Sequence, residues 1–278
     1  MKKKLITIVG LGLMGGSLGL ALNQQRKKIQ IFGVSRNKSK LNQALKSKVI
    51  SKGSTSLSQI PQETELICIC VPVPKILPTL LKLEKTLTKK TIVTDVGSTK
   101  LDIMKQVKQA KLKKVCFVGS HPMAGSHNTG LSAADKNLYK GSNVFVISDG
   151  ATSEQRKIVS SFWKQSGAKT ITVVTAKAHD QIAAEISHMP HMVSSLLMQS
   201  VQSRSLKSGG SGFKDVTRLA QGDPDLWMGI ISSSPFLSGS LKQFKKELQK
   251  FISLLDQKKW NQIKKILSNA ETKRRQLK

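Results

Sequence analysis

Short apolar runs recur along the first two thirds of the chain. Each is followed by small residues and then by a stretch with helical spacing. Leu5–Val9 reads as a strand, a glycine-rich turn follows it, and Gly15–Gln25 reads as an apolar helix. The polar stretch "NQQRKK" separates that helix from a second strand, Ile29–Val34. Further strands end at Val71-Pro72 in "ELICICVPVP", at Asp95 in "TIVTDVGSTK" and at Gly119 in "KVCFVGSHPMAGS"; "NVFVIS" and "TITVV" supply two more. Strands alternating with helices imply an α/β fold with a mostly parallel, doubly wound sheet. Ligands of such sheets bind beyond the carboxyl ends of the strands, where Gly10, Ser35, Val71, Ser98 and His121 are expected to gather.

From about Ala178 the strand signal stops. Ile182, Ile186, Val193 and Leu197 come close to helical spacing, with Pro190 expected to kink the helix by removing a backbone donor. Leu241, Phe244, Leu248, Ile252 and Leu255 repeat at helical intervals, and Trp260, Ile263, Ile266 and Leu267 mark a last amphipathic helix before a basic, solvated end. The pattern divides the chain into an α/β domain, residues 1–177, and an all-α domain, residues 178–278.

The N-terminus admits three readings. Lysines before an apolar run resemble a secretory signal, and glycines four apart resemble a membrane helix-pairing face. Gly10, Gly12 and Gly15 also form G-x-G-x-x-G. That motif carries weight only between a strand and a helix inside a βαβ unit, which is the context here. Gly10 permits the tight turn, Gly12 lets backbone approach a pyrophosphate, and Gly15 allows helix to pack closely on strand. The reading favoured is a Rossmann-type dinucleotide site in a cytoplasmic protein. The positions expected at the cofactor are Gly10, Gly12, Leu13, Met14, Gly15, Ser35, Arg36, Val71, Pro72 and Ser98. A carboxylate ending the second strand would select NAD; this strand ends Val34-Ser35-Arg36-Asn37, with no acid before Glu63. Ser35 and Arg36 suit a 2′-phosphate, so NADP is expected over NAD.

The formal net charge of +30 raises the question of nucleic acid. The lysines are dispersed rather than gathered, and one Tyr and three Trp leave few stacking platforms, so the charge reads as a solvated surface. Neither a nucleic-acid nor a membrane partner is expected, although a positive field attracts small anions. Cys68, Cys70 and Cys116 form no C-x-x-C pair and read as small core residues in a reducing compartment.

His121 follows a strand end at the ligand edge, in what reads as a loop. Beside a nicotinamide, a neutral imidazole there takes a proton from a substrate hydroxyl while hydride leaves the same carbon; Ser98 would orient it or the substrate. His188 and His191 share a helix face if the helix continues through Pro190, and no carboxylate at suitable spacing makes them a metal site. Arg218 stands in a glycine-led, mixed-charge segment, which reads either as a plain helix start or as a bidentate clamp for a carboxylate.

"GLGLMGGSLGLAL", "TDVGSTK", "HPMAGS", "ISHMPH" and "GFKDVTRLAQGDPDLW", in that order and over nearly the whole chain, resemble the prephenate/arogenate dehydrogenase family. The resemblance implies a Rossmann domain and a helical dimerisation domain, hence a homodimer. It implies oxidation of a small anionic cyclohexadienyl substrate, with loss of the ring carboxylate, in tyrosine biosynthesis. It gives His121 the bond to the ring hydroxyl, Ser98 the orientation of His121 and the cofactor, and Arg218 a substrate carboxylate. His191 falls near the substrate side chain with His188 its structural neighbour, and Trp227 at the subunit boundary. "GVSRN" resembles NADP-preferring members, many of which use arogenate, whereas some arogenate-preferring members lack a histidine matching His191. Oxidation yields a vinylogous β-keto acid whose decarboxylation restores an aromatic ring, a step that requires no metal. Two other readings differ in class. A β-hydroxyacid dehydrogenase would carry a catalytic lysine where "HDQIAAEISHMPH" has none, and a non-catalytic NADP-binding regulator would bind the cofactor without turnover.

Overall fold

The computed structural model describes residues 3–24, 28–126 and 128–277. Contacts divide the chain into two compact units, Met1–Ser234 and Pro235–Lys278.

In the first unit six parallel strands form one sheet: β1 Lys4–Val9, β2 Ile29–Val34, β3 Lys52–Ser54, β4 Leu66–Ile69, β5 Thr91–Asp95 and β6 Val115–Val118. Their order, β3-β2-β1-β4-β5-β6, reverses direction between β1 and β4. That reversal opens a crevice at the carboxyl ends of those two strands, the topological switch point. Ile6 and Ile8 on one face of β1 and Leu5 and Val9 on the other are all buried, as in a central strand covered by helices on both sides. The covering helices are α1 Leu13–Asn23, α2 Lys38–Lys46, α3 Ile76–Thr86 and α4 Leu101–Ala110. The helix predicted as Gly15–Gln25 thus begins and stops two residues earlier, and Gln25 lies outside the described residues. β3 was not legible: Lys-Gly-Ser has no strand pattern and is recruited by pairing with β2.

A second sheet departs from the expected single one. β7 Ser120–Pro122 runs antiparallel to β8 Asn143–Ile147, and β8 pairs in parallel with β9 Thr170–Val174. His121 therefore sits on a short strand rather than in a loop, its backbone held in register opposite Phe145. Between β8 and β9 runs α5 Ser153–Gln165, which buries Phe162 and Trp163.

Five helices complete the unit: α6 Ala176–Ala183, α7 Met189–Ser200, α8 Ser203–Leu206, α9 Ser211–Thr217 and α10 Pro224–Ile231. The break near Pro190 is a wider, π-helical turn at Ala184–His188, and Pro190, which has no N–H to give to that turn, lies in the first turn of α7 directly after it. The buried face here is small and polar (Ala183, Ala184, His188, His191 and Ser194), while Ile186, expected on the apolar face, is exposed.

The second unit is a helical hairpin, α11 Leu237–Asp256 and α12 Trp260–Arg275, turned by Lys258 in the left-handed region at φ 53°. Phe244, Leu248, Ile252 and Leu255 remain exposed along α11. No described helix is long and apolar enough to cross a membrane.

Candidate active site

The glycine turn joins β1 to α1. Gly10 has φ 98°, and a Cβ there would lie 2.4 Å from the Cys70 carbonyl oxygen; a Cβ on Gly15 would lie 1.9 Å from the carbonyl oxygen of Gly10. Neither position tolerates a side chain, because backbone meets backbone at the switch point. Gly12 differs: a Cβ there would meet nothing within 4 Å. It is the N-cap of α1, with no side chain capping the first-turn amides. Free amides at a helix N-terminus facing open space suit an anion, so the turn fits the pyrophosphate of a dinucleotide.

In front of this turn lies a cavity of about 520 Å³. Gly12, Leu13, Met14, Val71 and Pro72 form one part of its wall, Ser98 and His121 another, and Gly222, Asp223 and Trp227 a third. A more open depression lies near the amino ends of β1 and β2, beside Lys3 and Ile29, away from this chemistry. Several expected site residues are not on the cavity wall. Ser35 is buried and its Oγ donates to the Asn37 carbonyl at 3.3 Å, while Arg36 is exposed just beyond the end of β2. Arg218 is exposed in a 3₁₀ turn, Arg218–Gln221, that leads directly into Gly222. His191 is buried behind Trp227, the two rings stacked with centroids 3.5 Å apart at 20°. His188 is also buried and meets Trp227 edge-on at 6.1 Å.

Beneath His121 the polar groups are closely partnered. Its Nδ1 lies 2.9 Å from His179 Nε2, and His179 Nδ1 lies 2.7 Å from Asp180 Oδ1. The ring nitrogen of His121 that is held internally is thus held by His179, while Ser98 lines the same cavity. The loop carrying Ser98 is anchored at both ends. Asp95 forms an ion pair with Lys100, both fully buried, and accepts from the amides of Gly97 and Ser120 at 2.9 Å each. Thr99 Oγ1 meets Ser233 Oγ at 3.0 Å. A buried pair of this kind holds geometry because removing either partner strands a charge.

Burial pushes the His121 imidazole well below its ordinary value, and the neighbouring His179, Lys100 and His188 push it the same way. Burial also lowers His179, against the pull of Asp180. His188 is lowered by burial to about 4, against the pull of Asp180 and of a backbone hydrogen bond to Ser98; its Nδ1 is 2.8 Å from Ser234 Oγ. His121 is therefore a neutral imidazole near pH 7, able to accept a proton.

Sequence reasoning passed over His179, Asp180, Lys100 and Gly222. "AHD" was visible, but nothing local says that His179 meets a histidine 58 residues away. Gly222 lies between aromatic rings: a Cβ there would be 2.5 Å from both His191 Cε1 and Trp227 Nε1.

A dinucleotide turn at the switch point, facing a cavity with a neutral buried histidine on its wall, defines a dinucleotide-dependent dehydrogenase. Two family profiles match: "Prephenate dehydrogenase, nucleotide-binding domain" over residues 18–172 and "Prephenate dehydrogenase, dimerization domain" over residues 175–269. The chain belongs to the prephenate dehydrogenase family. It is 34% identical over 258 residues to the prephenate dehydrogenase of Lactococcus lactis, covering 89% of this chain and 70% of that protein. Among solved structures it resembles prephenate dehydrogenase from A. aeolicus in complex with hydroxyphenyl propionate and NAD+, at TM-score 0.89 and 26% identity, covering 100% of this chain and 99% of the other. It also resembles Synechocystis arogenate dehydrogenase, at TM-score 0.82 and 31% identity over 97% and 98% of the two chains.

Proposed function

We propose that the protein oxidatively decarboxylates a cyclohexadienol carboxylate in tyrosine biosynthesis, arogenate to tyrosine or prephenate to 4-hydroxyphenylpyruvate, with NADP+ as hydride acceptor. The observation that carries this is the neutral, buried His121 on the wall of the cavity that also holds the glycine turn. When bound, the nicotinamide dinucleotide supplies the carbon that receives the hydride. The amides at the start of α1 and the open face of Gly12 hold the pyrophosphate, with Val71 and Pro72 on the adjoining wall. His121 takes the ring-hydroxyl proton as the carbon–oxygen double bond forms, and Ser98 positions the hydroxyl beside it. Arg218, exposed and next to the wall residues Gly222 and Asp223, reaches a substrate carboxylate; Trp227 closes that side, held by His191 and His188.

The NADP preference rests on Ser35 and Arg36 and on the absence of an acid at the end of β2. The homodimer rests on the dimerization-domain match and on the exposed row Phe244, Leu248, Ile252 and Leu255. The deciding assay follows NAD(P)H formation by purified protein with arogenate and with prephenate, each with NADP+ and with NAD+. Turnover of neither substrate rejects the reaction, and equal use of NAD+ rejects the cofactor preference. A Ser35→Asp/Arg36→Ala double variant should lose NADP+ use through charge repulsion and loss of the phosphate partner.

A further inference from the structure

We propose that His179 and Asp180 are positioning residues that fix the tautomer of His121 and leave its Nε2 as the proton acceptor. The proposal rests on His121 being the base of the reaction above.

Asp180 Oδ1 accepts from the Lys100 amide at 2.8 Å, and Oδ2 accepts from the Leu101 amide at 2.9 Å. A carboxylate docked on two backbone donors at a helix start acts as acceptor only. His179 Nδ1, 2.7 Å from Oδ1, must then be the donor. A neutral imidazole carries one N–H, so His179 Nε2 presents a lone pair. That lone pair faces His121 Nδ1 at 2.9 Å, which makes Nδ1 the protonated nitrogen of His121. His121 Nε2 is consequently the basic nitrogen, on a ring that lines the cavity. The rings are fixed in place: Phe145 packs edge-on against His179 at 5.2 Å, and β7–β8 pairing places His121 opposite Phe145.

The reverse tautomer would offer the substrate hydroxyl an N–H and no lone pair. With the tautomer fixed, the hydroxyl O–H bond breaks, its proton goes to Nε2, and hydride leaves the same carbon with its electron pair as the carbonyl forms. The resulting imidazolium keeps donating Nδ1–H to His179, which keeps donating to Asp180, so the new positive charge is met by the carboxylate through two rings. The other titratable groups packed around His121 are His188 from the π-helical turn, and Lys100 and Asp95 from the β5–α4 loop. Lys100 and Asp95 neutralise each other, so Asp180 is left as the counter-charge.

The experiment is ¹⁵N NMR of the full-length protein labelled at its five histidines, at pH 7.5, with His121 assigned through a His121→Gln variant. The expected spectrum has Nδ1 of His121 protonated and Nε2 unprotonated. In parallel, His179→Leu should lower kcat by about 10²–10⁴-fold, as wrong-tautomer variants of other base-assisted enzymes do, with KM and dinucleotide affinity within about twofold. His179→Gln, whose carbonyl oxygen accepts the same N–H, should restore the tautomer and most of kcat. An Nε2–H tautomer in active wild-type protein overturns the relay alone, a result that depends on no variant folding. Wild-type kcat in folded His179→Leu overturns it as well. A full-rate His121→Ala variant overturns the base and the relay with it.

Discussion

His188 is expected to make the protein acid-labile in a defined window. Its ring is buried against Trp227 with Nδ1 on Ser234, and burial lowers its pKa from the ordinary 6.5 to about 4. The folded state therefore keeps this ring neutral at pH values where the unfolded chain protonates it. Between pH 6.5 and about 4 the unfolded chain binds more protons, so stability rises with pH across that window and is lost as pH falls through it. At about 1.4 kcal/mol for each pKa unit, the full effect is about 3 kcal/mol, with about 2 kcal/mol already lost at pH 5. Losses of that size are a large part of an ordinary domain's stability. His121, His179 and His191 are lowered too and add slope in the same direction, so the wild-type curve alone does not isolate His188. The isolating measurement is the difference between wild type and His188→Gln in urea unfolding at pH 7.5 and pH 5. The variant should be destabilised at pH 7.5 by its poorer fit, yet lose about 2 kcal/mol less than wild type on going to pH 5. Parallel losses in the two proteins would refute the reasoning, because they would mean that His188 takes up no differential proton on unfolding.

His121→Ala should leave NADP+ binding nearly intact and reduce turnover by about 10²–10⁴-fold, read by initial rates beside cofactor fluorescence titration. Arg218→Ala should raise the substrate KM by roughly 10–1000-fold, the equivalent of about 1.5–4 kcal/mol for a charge-assisted pair, and leave Tm unchanged since the side chain is exposed. Arg218→Lys should recover only part of that loss, because an ammonium cannot make the two-pronged contact. Gly222→Ala should force apart the His191–Trp227 stack, whose atoms would stand 2.5 Å from the new methyl, and cost about 1–3 kcal/mol in chemical unfolding, with a raised KM because Trp227 lines the cavity.

What the sequence by itself determined is local. The G-x-G-x-x-G turn, the strands β1, β2, β4, β5 and β6 and the helical hairpin at the C-terminal end follow from period and turn chemistry, which act over a few residues. The glycines were legible because the turn excludes side chains at Gly10 and Gly15 whatever else the chain does. The order of motifs along the chain likewise points to the family. Tertiary structure decided the rest. It recruited Lys52–Ser54 as an edge strand, set β7, β8 and β9 into their own sheet, and buried the small, polar side of the helices at His188 and His191 instead of the row with Ile186. It brought His179 to His121 across 58 positions and seated Asp180 on the amides that open α4. Periodicity reports which face of an element seeks burial. It carries no information on which distant polar atoms meet once the faces are buried, because that pairing is selected by the cost of leaving a buried donor or acceptor unsatisfied anywhere in the fold.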